Sequence, residues 1–201
     1  MKAPPVYGLV LAGGSSRRMQ RDKALLTYQG VAQLDRVFER VARHCERSFV
    51  SVRASQAREP SRACRPLIID SVEGEGPIIG IRSGLAAHAQ AAWLVVACDL
   101  PFLSDATLER LLAERDPSSL ATAYRSTHDG LPEPLCAVWE PQACGALAAY
   151  QQGGGVCPRK FLMRHGARLI ETVEPAALDN VNTPEDYREA EERLARVPAC
   201  N

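Results

Sequence analysis

The chain has 201 residues and a formal net charge of zero, with 24 Lys and Arg balancing 24 Asp and Glu. Nucleic-acid modules draw affinity from a basic excess that neutralises phosphates, so this balance argues against a polynucleotide partner. A chain this long buries enough apolar surface to fold without disulfides, and its seven cysteines, odd in number and lacking a CxxC pair, read as reduced thiols rather than a zinc site.

Residues 6–12 form a continuous apolar run that predicts a buried parallel strand, stopped by Gly13 and Gly14. A polar loop is expected over residues 15–23. Residues 31–44 place Leu34, Val37, Phe38 and Val41 at helical spacing, with charged residues between them. Residues 48–52 predict a second strand and residues 66–70 a short third, ending in Asp70. After a loop bearing Gly74 and Gly76, Pro77 suits the first turn of a helix running to about residue 87, where its missing N–H removes no hydrogen bond. Residues 93–97 are another apolar strand, followed by Cys98 and Asp99, and Ser104 can cap the next helix. Strands over 120–124 and 135–139, a helix over 142–150, a short helix over 158–165 ended at Gly166, and a strand over 169–173 follow. Thr183-Pro184-Glu185-Asp186 predicts the start of a closing charged helix: Thr caps, Pro fills the first turn, and the acids favour the positive dipole end. Strands alternating with helices imply an α/β fold whose mostly parallel sheet is covered on its faces. No strong linker divides the chain. No stretch reaches about 18 apolar residues, so no membrane is expected and cytoplasm is the expected compartment.

The segment 11–23, Leu-Ala-Gly-Gly-Ser-Ser-Arg-Arg-Met-Gln-Arg-Asp-Lys, leaves the end of the first strand. Ligands of open α/β sheets bind beyond such carboxyl ends. Gly13 and Gly14 let backbone N–H groups approach an anion, and Arg17, Arg18 and Lys23 can neutralise phosphate oxygens. The spacing is neither a Walker A loop nor GxGxxG. Asp99 follows a buried strand at the same sheet edge, where a hard carboxylate oxygen can hold Mg²⁺ beside substrate phosphates; a turn or helix-capping aspartate would look the same in isolation. Asp70 also follows a strand and either touches the nucleotide or orders its loop. Asn180 and Asn182 lie two apart, so an extended backbone turns both amides to one side, for a polar ring or for ordinary turn and capping use.

Three strings in this order, LAGGSSRRMQRDK, VVACDLPF and DNVNTPEDY, resemble the MobA-type molybdenum cofactor guanylyltransferases, a branch of the nucleotidyltransferases. The resemblance covers about residues 6 to 190. It implies a Rossmann-like, three-layer α/β/α fold and one nucleotidyltransferase domain over 1–201, with a nucleotide-binding half over 6–115 and an acceptor-binding half over 116–201. The implied reaction transfers GMP from GTP to molybdenum-molybdopterin, with Mg²⁺, giving the guanine dinucleotide cofactor and pyrophosphate. By position, Leu11, Ala12, Gly13 and Gly14 resemble the nucleotide-binding strand end and Lys23 the phosphate-binding lysine. Asp70 matches a GTP-binding aspartate, and Asp99 one that binds nucleotide and metal. Ser51 falls where the family has an asparagine near the nucleotide. Asn180 and Asn182 match a pair on the pterin, or acceptor, side. Gly14 favours GTP, because guanylyltransferases of this kind usually carry LAGG and the related cytidylyltransferases LAAG. Gln20, and Val31-Ala32-Gln33, depart from the family pattern.

A phosphate-monoester acceptor, with a second pKa of about 6, needs no general base. Catalysis is therefore expected to rest on Lys23, Arg17 or Arg18, and metal-bearing Asp99, which neutralise the meeting of two anions. The rival readings are a related enzyme using CTP or a sugar-phosphate acceptor, and a non-catalytic GTP-binding adaptor. The resemblance also suggests partners among other molybdenum-cofactor assembly proteins or recipient apo-enzymes.

Overall fold

The computed structural model describes residues 3–14, 19, 21–71, 74–172 and 174–196. In chain order the first half holds strand β1 (Val6–Leu11), a two-stranded hairpin β2 (Thr27–Tyr28) and β3 (Val31–Ala32), helix α1 (Gln33–His44), β4 (Arg47–Val52), α2 (Pro60–Ala63), β5 (Leu67–Ile69), α3 (Pro77–Ala87), β6 (Ala92–Ala97) and α4 (Asp105–Ala113). The second half holds β7 (Ala121–Arg125), β8 (Pro132–Trp139), α5 (Ala143–Gln152), α6 (Pro158–His165), β9 (Arg168–Ile170) and α7 (Pro184–Ala195). Lys23–Leu25, Ala54–Gln56 and Pro175–Leu178 are 3₁₀ turns.

Seven strands form one sheet in the order β5-β4-β1-β6-β8-β7-β9. β1 is parallel to both β4 and β6, and β4 to β5. β8 alone runs against its neighbours β6 and β7, while β9 is parallel to β7. The expected mostly parallel sheet with helices on both faces is the fold observed. Alternation along β1 decides which side chain faces which layer. Val10 joins Leu34, Val37 and Val41 of α1 and Leu108 and Leu111 of α4 in one core. Leu9 joins Ile78, Ile81 and Leu85 of α3, Leu147 of α5 and Phe161 of α6 in the other. β6 is buried at all six positions, as a continuous apolar run requires of a central strand.

The helix expected over 31–44 begins two residues later. Val31 and Ala32 instead pair with Tyr28 and Thr27, across a turn in which Gln29 (φ 52°) and Gly30 (φ 80°) both take the left-handed conformation. Two left-handed residues match the strand twist of a two-residue hairpin. The hairpin and α7 share a third, small core of Leu26, Tyr28, Val181 and Ala190 with Met19. The Tyr187 hydroxyl donates to the Thr27 carbonyl at 2.7 Å. Helix α7 is thereby packed onto the hairpin.

The capping signature at α7 is borne out. Thr183 Oγ1 accepts from the Asp186 N–H at 3.1 Å, and Asp186 Oδ2 accepts from the N–H groups of Asn182 (2.8 Å) and Thr183 (2.9 Å). The Asn182 backbone bond foremost holds the Asp186 carboxyl below its ordinary value of 3.8. A depressed native pKa contributes stability that is present above the unfolded value and lost as pH falls through the native one. Asp186→Ala should cost about 1 kcal/mol near neutrality, the usual worth of a cap, with the difference from wild type shrinking below about pH 4. Urea unfolding at pH 7 and pH 3 measures this, and a pH-independent difference would contradict it.

Among the described residues no helix is long and apolar enough to cross a membrane. The six described cysteines are all free; burial pushes the thiols of Cys45, Cys98 and Cys136 up to about 12, so they stay protonated.

Candidate active site

Because β5, β4, β1 and β6 are parallel, their carboxyl ends share one edge of the sheet. Backbone bonds extend the ladder past the strands: Ala12 N–H donates to Ser51 O (3.1 Å), Cys98 N–H to Leu11 O (3.2 Å) and Asp70 N–H to Val52 O (2.9 Å). Leu11, Ala12, Gly13, Gly14, Ser51, Asp70 and Asp99, far apart in sequence, thus line one cavity of about 500 Å³ together with Lys23 and Asn182. Arg17, Arg18 and Gln20 lie outside the described residues.

The floor of the cavity depends on close approach of α3 to the sheet. A Cβ on Gly80 would collide with Ser51 Oγ and come within 2.8 Å of Leu11 Cδ2. Ser51 Oγ makes a long hydrogen bond to Asp70 Oδ1 (3.4 Å). Burial raises the Asp70 pKa, and the Ser51 bond partly offsets this. Gly80→Ala forces Ser51 Oγ and Leu11 Cδ2, or α3 itself, to shift, which should destabilise the protein by about 1–3 kcal/mol as core overpacking does. An unchanged urea midpoint would show that the helix yields freely.

The charged centre is Lys23. Its Nζ donates to Asp99 Oδ2 at 2.8 Å and to Asn182 Oδ1 at 2.7 Å, with Lys23 16 % and Asp99 18 % exposed. Local structure places all three. Asp22 caps the 3₁₀ turn that begins at Lys23, its Oδ1 accepting from Ala24 N–H at 3.0 Å. Asp99 follows the end of β6, and its carbonyl accepts from Val181 N–H at 3.0 Å. That bond sets Asn182 beside the strand-end cavity. The other oxygen of Asp99, Oδ1, is buried without a hydrogen-bond partner among the described residues.

A second cavity of about 620 Å³ adjoins the first. Asn180, Asp179, His128 and Arg159 line it, and Asn182, Pro77 and Leu135 line both. The asparagine pair is therefore brought to one wall, with Asn182 at the junction. Sequence reasoning did not single out Arg159, which bonds Asp129 at 3.0 Å and Glu133 at 2.7 Å, nor His128. For His128 a signal was present in Asp129-Gly130, a hairpin dipeptide between two β-rich runs that would have paired β7 with β8; Arg159, on α6, carried none.

A strand-end cavity, a lysine bonded to an asparagine that lines both cavities, and a carboxylate oxygen without a hydrogen-bond partner among the described residues define an α/β protein with a charged site at the ends of its parallel strands. A sequence model of the MobA-like NTP transferase domain matches residues 8–169, and the chain belongs to that family. It is 34% identical over 186 residues to a molybdenum cofactor guanylyltransferase of Pseudomonas paraeruginosa, covering 90% of this chain and 92% of the relative. It is 37% identical over 183 residues, 91% of its own length, to a molybdenum cofactor biosynthesis bifunctional protein of a Synechocystis strain, and spans about half (53%) of that longer protein. Its structure superposes on the crystal structure of molybdopterin-guanine dinucleotide biosynthesis protein A from Archaeoglobus fulgidus with a TM-score of 0.79 at 25% identity, covering 95% and 100% of the two chains. The family and the nucleotidyltransferase class expected from the three sequence strings are thus the ones found.

Proposed function

We propose that this chain transfers GMP from GTP to molybdenum-molybdopterin, forming the guanine dinucleotide cofactor and pyrophosphate. The observation that carries the reading is the Lys23 ammonium bound to Asp99 and Asn182 where the two cavities meet. In it GTP occupies the strand-end cavity, its phosphates against the backbone of Leu11, Ala12, Gly13 and Gly14, with Asp70 and Ser51 contacting the nucleoside side. The acceptor lies in the second cavity, on the amides of Asn180 and Asn182. This assigns nucleotide binding mainly to residues 6–115 and acceptor binding to 116–201, with Asn182 reaching across.

The acceptor's terminal phosphate is already anionic near neutral pH. One of its oxygens attacks the α-phosphorus, the bond from that phosphorus to the bridging β-oxygen breaks, and pyrophosphate departs with the electron pair. Lys23 neutralises charge as the phosphates converge, and Arg17 is assigned the same task. The unpartnered Asp99 Oδ1 fits a hard cation, and Mg²⁺ typically needs only one or two carboxylates besides substrate phosphates. Bound there, Mg²⁺ would screen the triphosphate and the leaving pyrophosphate. The same reading places the protein in the cytoplasm, beside other molybdenum-cofactor assembly proteins or recipient apo-enzymes.

The test offers GTP, CTP and ATP in turn with molybdenum-loaded molybdopterin, following pyrophosphate release and product mass. Guanine dinucleotide is the expected product. Preferential use of CTP, turnover on a sugar phosphate instead, or GTP binding without pyrophosphate would each replace this reading.

A further inference from the structure

Among the described residues, the largest charged side chain buried completely lies outside this machinery. Arg62, on the four-residue helix α2, has no solvent exposure. A guanidinium so placed must be paired, since an isolated charge away from water is prohibitively unfavourable. Its Nη2 donates both to the Ala12 carbonyl (3.0 Å) and to Asp22 Oδ2 (2.7 Å), and Nη1 to Glu59 Oε2. Ala12 and Asp22 bracket residues 13–21, the stretch that bears the glycine pair and Arg17. One nitrogen therefore holds the point where the chain leaves β1 and the point where it returns.

The second contact reaches further. Asp22 divides its two oxygens, Oδ2 to Arg62 and Oδ1 to the Ala24 N–H that opens the 3₁₀ turn. Lys23 is the first residue of that turn, and its ammonium extends to Asp99 and Asn182. A continuous path of hydrogen bonds and one peptide link joins Arg62 to Lys23. The strength of a phosphate contact depends on how well its donor is fixed beforehand, because ordering a lysine side chain on binding opposes affinity.

We propose that Arg62 is a positioning residue for nucleotide transfer: it holds the Asp22 carboxylate and, through the Asp22 cap, aims Lys23 at the phosphates. The inference rests on the guanylyltransfer reading. Arginine suits the task because its planar fork holds separate donors in a fixed geometry, which a compact lysine ammonium on a shorter reach does not.

The test compares Arg62→Lys in the wild-type and Lys23→Ala backgrounds, reading the Mg²⁺·GTP dissociation constant by calorimetry, with thermal unfolding as the control for folding. In the wild-type background Arg62→Lys should weaken GTP binding about tenfold; with Lys23 already removed the loss should shrink to about twofold or less, the non-additivity expected of residues in one network. Asp22→Asn removes the charge held by Arg62 but keeps an oxygen for the Ala24 N–H, so it should follow the same pattern even if Arg62→Lys does not fold. Equal losses in both backgrounds, or unchanged affinity with wild-type Lys23, would reduce Arg62 to a structural ion pair and overturn the proposal. A wild-type protein that neither binds GTP nor releases pyrophosphate would instead refute the guanylyltransfer reading, and this inference with it.

Discussion

Asp99→Asn should abolish metal-dependent turnover, with kcat falling about a thousandfold, the order seen when one charge-stabilising group leaves a preorganised site. The substitution keeps the size of the side chain and leaves an oxygen able to accept from Lys23. What it removes is the negative charge and the hard character of the oxygen now without a partner, Oδ1. Folding should be little affected, because asparagine keeps the shape and an acceptor for Lys23, which also retains its bond to Asn182. The informative readout is pyrophosphate release titrated with Mg²⁺. Wild type should saturate, and the variant should show no rise over the same range. Asp99→Ala should behave alike. A variant with full Mg²⁺-dependent turnover would move the metal to another group, and Asp22 and Glu75 are the other carboxylates besides Asp70 that line the cavity.

Much of this centre was legible because each element ends on an abrupt chemical change. The apolar runs before Gly13, Asp70 and Asp99 read as buried strands, and parallel order brings their ends together whatever the order of strands in the sheet. The cap at Thr183 was equally plain, since Thr, Pro and acid occupy the positions that unsatisfied helix N–H groups require. Where the signal lay between elements it was lost. Gln29-Gly30 is not among the strongest hairpin dipeptides, and strands of two residues have no periodicity to detect. Arg62 sits in a stretch, Arg-Ala-Ser-Gln-Ala-Arg-Glu-Pro-Ser-Arg, that is polar throughout and resembles a solvated loop. Only Pro60, at the first position of α2, hinted at a helix there. Its burial is a tertiary fact, produced by the return of Asp22 and invisible to local pattern. The antiparallel direction of β8 likewise follows from long-range pairing of Trp93 with Trp139 and of Val96 with Cys136.

Lys23→Ala separates binding from chemistry. The ammonium is shared between the Asp99 carboxylate at the strand ends and the Asn182 amide, which lines both cavities. A phosphate arriving between them gains a charge-assisted donor already held in place. If Lys23 acts both in binding and as the charges of the two substrates converge, kcat should fall by about two to three orders of magnitude and kcat/KM further still, because KM rises as well. If it serves only ground-state binding, KM rises while kcat holds. The bond from Lys23 to Asn182, a residue that lines both cavities, favours the first outcome. Lys23→Arg should recover little, since a planar guanidinium cannot replace a compact ammonium between Asp99 and Asn182 without displacing one of them. The acceptor side supplies a further check. Removing Lys23 releases Asn182 Oδ1, so acceptor binding should weaken along with that of GTP, whereas Asp70→Asn should affect GTP alone. A Lys23→Ala enzyme that loses GTP affinity but holds the acceptor as tightly as wild type would confine the lysine to the nucleotide and break the link between the two cavities.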